Sequence, residues 1–389
     1  MPGERLSVAG LFAGIGGIEL GLHRAGHESV LLCEIDAGAS AVLRIRFPGV
    51  ALVPDVRAIG SLPHVDVVAA GFPCQDLSQA GRTAGIGGAQ SSLVAEVFRL
   101  LGSQKRGPRW LLLENVSFML QLDRGRAMHF LVDRLEERGF SWAYRVVDTR
   151  AFGLPQRRQR VLLVASRTED PRGVLFADDA TPHERTFSRD RWCGFYWTEG
   201  LRGLGWAVDA VPTLKGGSTI GIPSAPGIWK PANGEIVTPE IRDAERLQGF
   251  DEDWTLPFLD VPGARRGHRW KLVGNAVSVP VAEWVGCRLG SPGSFDAQRM
   301  GAERPKGLPW PRAAFGSKGR VYPVAVSMWP VRRSARHLSD FLKFPGALLS
   351  ARAASGFLSR AEKSGLRFED GFLADVSRHV DRMQRQAVA

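Results

Sequence analysis

Short apolar runs rich in Val, Leu and Ala recur through the first 166 residues, and each closes on a polar or glycine-rich mark. They read LSVAGLFAGIGG, SVLLCEID, VDVVAAGFPCQ, RWLLLENV and RVLLVAS. Between most of them lie stretches such as SSLVAEVFRLLG and AMHFLVDRLEERGF, whose apolar positions recur at helical spacing. Runs that are apolar at nearly every position suit strands buried on both faces, and their alternation with helices predicts an α/β fold with a doubly wound, mostly parallel, Rossmann-like sheet. Ligands of such sheets bind beyond the carboxyl ends of the strands, which is where the polar marks fall.

After Ser166 the texture changes. Residues 167–237 are rich in Gly, Pro, Arg and Trp, with Trp192, Trp197, Trp206 and Trp229 in one stretch of little periodicity. This predicts a smaller, loop-rich module over residues 167–267, with the first domain, residues 1–166, completed by 268–290. A helix signal returns at TPEIRDAERLQGF, with Thr238 as N-cap and Pro239 at the first helical position. Residues 291–325 read as a Pro/Gly-punctuated linker, and 335–385 carry helical spacing with basic faces, so 291–389 is expected to form a basic C-terminal helical extension.

Charge sharpens that division. The 389 residues carry a formal net charge of +11. From Ser291 onward 17 Lys plus Arg face 8 Asp plus Glu, so most of the excess belongs to the extension. A polyanionic partner such as nucleic acid and a plain solvated helical surface both account for it. Cys33, Cys74, Cys193 and Cys287 form no CxxC pair, so neither a metal site nor a disulfide framework is expected. No apolar run is long enough to span a bilayer and the first residues lack the layout of a signal peptide, so the expected location is the cytoplasm.

The strand-end marks carry the candidate chemistry. LFAGIGG places Gly14, Gly16 and Gly17 between a strand and a helix, where backbone amides can approach a bound cofactor. CEID puts Glu34 twenty residues past Gly14, at a distance suited to ribose hydroxyls, and PDVR puts Asp55 at another strand end, suited to an adenine amino group. This pattern leaves dinucleotides and S-adenosylmethionine both open, and the lack of GxGxxG tilts it toward a nucleoside without a pyrophosphate. In AGFPCQDLSQAG, Cys74 follows Pro73 just beyond a strand, and its thiolate would be the strongest side-chain nucleophile available. An inert, packed cysteine is the plain alternative. WLLLENV brings Glu114, an acid placed to supply a proton, to the end of another strand. LPQRRQRV adds Arg158 and Arg160 at alternate positions, expected to face the same side.

The set and order of LFAGIGG, CEID, GFPCQDLS, ENV, QRRQR, a variable stretch, RLQGF and GNAV closely resembles the DNA (cytosine-5)-methyltransferase family over about residues 6–289. The resemblance implies a fold that binds S-adenosylmethionine and a reaction in which Cys74 adds to carbon 6 of a cytosine swung out of duplex DNA. Glu114 would hold ring nitrogen 3 and the amino group, with Arg160 on the carbonyl oxygen and Arg158 supporting it. It further implies a cofactor pocket of Phe12, Gly14, Gly16, Gly17, Glu34, Ile35, Asp55, Val56, Pro73, Asn275 and Val277, with no metal. DNA contacts would come from Gln75, Ser78, Arg82 and, in PTLKGG, Thr213, and the variable stretch would be the target-recognition module. Where the family carries an arginine before serine, this chain has Gln90, which puts turnover in doubt more than identity. The expected partners are double-stranded DNA and a cognate restriction endonuclease, with the chain acting as a monomer. Two rivals remain: a transfer-RNA cytosine-5 methyltransferase, and a catalytically silent DNA-binding regulator on the same scaffold.

Overall fold

The computed structural model describes residues 3–72, 93–102, 107–183, 185–216 and 225–388. The chain divides into two compact units. The larger comprises residues 1–151, 159–182 and 277–332, and the smaller comprises 152–158, 183–276 and 333–389.

The larger unit begins as its apolar runs predict, with β1 (Ser7–Leu11), α1 (Gly17–Arg24), β2 (Glu28–Cys33), α2 (Ala37–Arg46), β3 (Ala51–Val53) and β4 (Val67–Ala70). It continues through α3 (Leu93–Gly102), β5 (Trp110–Val116), α4 (Arg126–Glu136) and β6 (Ser141–Asp148). Parallel pairing joins β3, β2, β1, β4 and β5 in that spatial order. All four residues of β4 are buried, as a strand covered on both faces requires. Val94, Val97, Leu101, Met128, Leu131 and Leu135 supply the helical side of the main core, so the two amphipathic stretches close the sheet as their spacing demands.

The other half of the sheet departs from the parallel expectation. After β7 (Gln156–Arg157), which belongs to the smaller unit, β8 (Gln159–Ser166) runs antiparallel to both β5 and β6. Farther along, β14 (Ala313–Ser317) and β15 (Arg320–Pro323) add an antiparallel hairpin beside β6, completing nine strands. The short stretch from Asp148 to Gln159 is a return rather than a helical crossover, and a parallel strand needs the crossover.

The predicted C-terminal extension is therefore divided. Residues 291–332 lie in the larger unit and 333–389 in the smaller one. Trp310 packs edge-on against Trp142 and Tyr144, so β6 gains apolar cover from a segment read as linker. Likewise residues 167–182 belong to the larger unit, and the chain re-enters it at Val277 rather than at 268.

In the smaller unit, β9 (Cys193–Phe195), β10 (Ala207–Val208), β11 (Val211–Pro212), β12 (Gly227–Lys230) and β13 (Glu235–Thr238) precede two helices, α6 (Ile241–Leu247) and α7 (Arg269–Asn275). Strands β10, β9, β12 and β13 form an antiparallel sheet, extended at β13 by β16 (Ala347–Leu348). Two late helices, which we label α10 (Ala351–Glu362) and α11 (Phe372–Val388), bury Phe357 and Phe372 against Phe195 and Trp229. Asp375 accepts a 2.8 Å hydrogen bond from the Trp229 indole, fixing the last helix to the sheet. Trp206 and Trp197 pack against this cluster and Trp192 against the second core of the unit, so all four tryptophans of the variable stretch take part in packing. Thr238 ends β13 and does not cap α6; the cap is Glu240, whose carboxylate accepts from the Arg242 amide. Pairing with Ala347 of β16 holds Thr238 extended, which displaces the helix start by two residues.

Among the described residues no helix is long and apolar enough to cross a membrane. Cys33, Cys193 and Cys287 are free thiols, and burial pushes Cys33 and Cys193 up to about 12, which leaves them unreactive.

Candidate functional site

Strand β1 runs into a turn whose backbone is left-handed at Phe12 (φ 57°), Gly14 (φ 56°) and Gly16 (φ 84°). Glycine takes that region without strain, whereas a β-carbon there is penalised, so the two glycines make the turn affordable and Phe12 is held in it by its surroundings. The turn directs the Gly14 amide at Glu34, whose carboxylate accepts from it at 2.8 Å and from the Asp36 amide at 2.7 Å. Burial raises Glu34 above the ordinary carboxylate range, while the amide bonds work in the opposite direction.

The neighbouring candidate positions lie in the same unit. Ile35 is 69% exposed at the end of β2, an unusual place for a bare aliphatic side chain. Asp55 ends the β3 segment and caps the turn at Val56 by accepting from the Arg57 amide at 2.9 Å, while Val56 is buried. Gly17 faces the Val277 carbonyl so closely that any β-carbon there would overlap it. Asp36 caps α2 through the Gly38 and Ala39 amides, at 2.9 and 3.1 Å. Replacing Asp36 with Ala should cost about 1 kcal/mol, read as an earlier denaturant midpoint at unchanged slope.

A second group gathers at the ends of β4 and β5. Glu114 is 8% exposed, and Arg160 from β8 approaches it as an ion pair, Nε to Oε1 at 3.1 Å. That approach is not aligned as a hydrogen bond, so the buried Oε1 keeps its acceptor capacity. A β-carbon built on Gly71 would lie 3.7 Å from Glu114 Oε2. Asn115 donates to the Phe72 carbonyl at 3.0 Å and accepts from the Val116 amide at 2.9 Å. The chain is thus led past Glu114 at Phe72, two residues before Cys74. Asn115 was not predicted as a site residue; its signal was an amide side chain at the end of an apolar strand, where burial demands partners.

Pro73, Cys74, Gln75, Ser78, Arg82 and Gln90 lie outside the described residues. Arg158 and Arg160 do not face the same side. Arg158 falls in the turn between β7 and β8, not in a strand, so alternation does not apply to it. Its buried guanidinium donates to the carbonyls of Leu214, Gly274 and Ala276, at 3.1, 3.3 and 2.7 Å, all within the smaller unit. Asn275 lies between those carbonyls in sequence, and a β-carbon on Gly216 would overlap its amide oxygen. Thr213 spends its hydroxyl on the Arg157 carbonyl at 2.8 Å.

A parallel half-sheet with a glycine turn, a hydrogen-bonded carboxylate at the next strand end and a buried acid near the end of β5 defines a Rossmann-like scaffold. The chain matches the family model for C-5 cytosine-specific DNA methylase over residues 6–190. It is 47% identical to the Type II methyltransferase M2.BsuMI of Bacillus subtilis (strain 168), over 97% of this chain and 99% of that protein. The Type II methyltransferase M.NlaX of Neisseria lactamica is 31% identical, over 70% of this chain and 92% of its own length. Among solved structures, that of the S. pombe Dnmt2 methyltransferase superposes with a TM-score of 0.53 at 17% identity, covering 73% of this chain and 98% of that one. This last likeness is one of fold. The chain belongs to the C-5 cytosine-specific DNA methylase family. It is a DNA methyltransferase acting at carbon 5 of cytosine.

Proposed function

We propose that the protein methylates a cytosine flipped out of a short, specific duplex sequence, by way of a covalent bond from Cys74 to carbon 6. The observation that carries this reading is the buried Glu114 carboxylate with its unspent acceptor, beside the strand end that leads to Cys74. Carbon 5 of cytosine is a weak nucleophile until the ring's aromaticity is broken. Attack by Cys74 Sγ forms a bond to carbon 6 and pushes an electron pair toward carbon 5, while Glu114 steadies ring nitrogen 3 and the amino group. Arg160 pairs with Glu114 and reaches toward the base carbonyl. Once carbon 5 is methylated, loss of its proton and expulsion of the thiolate restore the ring.

S-adenosylmethionine supplies the methyl group when bound. The residues fit it: Glu34 for the ribose hydroxyls, Asp55 for the adenine amino group, Ile35, Val56 and Phe12 around the base, and Gly14, Gly16, Gly17 and Val277 where the backbone must come close. We assign Pro73 and Asn275 to the same pocket. Arg158 acts by holding the backbone on either side of Asn275. Residues 167–267, of which 183–267 lie in the smaller unit, serve as the target-recognition module, and Gln75, Ser78, Arg82 and Thr213 contact DNA. Base extrusion costs a few kcal/mol, which phosphate and pocket contacts offset. The relatives' Type II names support a modification role beside a cognate restriction endonuclease, and we propose that the chain acts as a monomer.

Bisulfite sequencing of DNA from cells expressing wild type or Cys74→Ser tests this. The expected result is a motif-specific methyl signal lost in the variant. A signal that survives the substitution rejects the covalent role, and methylated transfer RNA without methylated DNA moves the assignment to the RNA rival.

A further inference from the structure

Glu19 has no part in the reaction described above, yet it is 1% exposed in the first turn of α1. Its Oε2 is buried with no hydrogen-bond partner. The other oxygen, Oε1, fills the space that a side chain at Gly10 would claim, so the carboxyl is wedged against the middle of β1. Strand β1 and helix α1 are the two limbs of the turn that carries Phe12, Gly14 and Gly16. Glu19 braces that turn from within, and Glu34 holds it from outside through the Gly14 amide.

We propose that Glu19 is a positioning residue for the methyl donor, carried with a proton on Oε2 so that the wedge under the cofactor turn stays neutral. The inference rests on the assignment of the Glu34 pocket to S-adenosylmethionine. A charged oxygen with no partner in a dry site is costly, and the nearest relief is a proton or a movement away from Gly10. Movement releases the turn and with it the Gly14 amide. Burial raises Glu19 to about 7; a hydrogen bond from its own backbone amide works in the opposite direction, and the Glu34 charge adds to the rise. Among the described residues no basic side chain pairs with Glu19, and the charge that acts on it is that of Glu34. Strand β1 has no ionisable side chain, and His23 and Arg24 on α1 are exposed. On the helix Val279–Gly290 that packs against α1, Arg288 is paired with Asp178 and Glu283 would only add negative charge.

Because the folded protein binds this proton more tightly than the unfolded chain, its contribution to stability is full below the unfolded carboxylate value and lost as pH rises through about 7. The test measures S-adenosylhomocysteine binding by calorimetry and thermal unfolding of the free protein, both from pH 5.5 to 8.5. Wild type should bind roughly five-fold more weakly at the alkaline end, the scale of a like-charge interaction across a short gap. Glu19→Gln, neutral and of the same shape, should bind with little pH dependence and melt higher than wild type by a margin that grows from pH 5.5 to about 7 and stays at about 5 °C up to pH 8.5. Gly10→Ala, which expels the wedge from the other side, should weaken binding at every pH. Equal pH dependence in wild type and Glu19→Gln overturns the proposal. Failure of both to bind at any pH instead removes the cofactor assignment on which it stands.

Discussion

Replacing Glu114 with Gln is expected to lower methyl transfer roughly 10²- to 10⁴-fold, the usual contribution of a positioned acid–base group. Donor and DNA affinity should stay within a few-fold of wild type. The two species have nearly the same shape, so the difference isolates what only the carboxyl does. Glu114 sits buried at the end of β5, paired with Arg160 at 3.1 Å and keeping an unused acceptor at Oε1. In the proposed reaction a carboxyl there exchanges a proton with ring nitrogen 3 as charge builds on the base, whereas the amide of Gln cannot. Single-turnover rates with saturating DNA and donor would check this. A near-wild-type rate would mean that Glu114 serves only to seat Arg160.

Changing Arg269 to Met should destabilise the smaller unit by roughly 3–5 kcal/mol, because it strands a buried carboxylate. Glu245 on α6 is completely buried and its Oε1 accepts from the Thr255 amide at 2.8 Å, from the Thr255 hydroxyl and from Arg269 Nη2 at 2.9 Å. Arg269 also donates from Nε to Thr255 at 2.8 Å and pairs with Asp253 at 3.2 Å. Removing the guanidinium leaves that charge in a dry place with only neutral donors. Urea unfolding followed by tryptophan fluorescence should show an earlier transition for Arg269→Met. The double variant with Glu245→Leu should recover much of the loss, since replacing both partners by apolar groups removes the stranded charge. If the single variant unfolds at the wild-type midpoint, the network is not stabilising the unit.

Much of the site was legible from local pattern. The glycine turn, Glu34, Asp55 and Glu114 all lie where apolar runs end, because a buried strand must surface before a polar side chain can act. Other expectations failed where a local rule met a long-range partner. Arg158 and Arg160 are two apart, yet one closes on carbonyls of residues 214, 274 and 276 while the other meets Glu114, since a turn interrupts the strand between them. Thr238 had the chemistry of a helix cap but was claimed by pairing with β16.

The sequence by itself determined the parallel half of the sheet, the glycine turn after β1 and the order of the motifs that place the chain in its family. Each of these is written in a period or spacing of a few residues. Only the tertiary structure decided that residues 291–389 split between the two units, that β8 returns antiparallel, and that the Glu19 carboxyl occupies the space left by Gly10. Those outcomes depend on which distant surfaces fit together, and packing complementarity across hundreds of residues leaves no periodic mark in the chain.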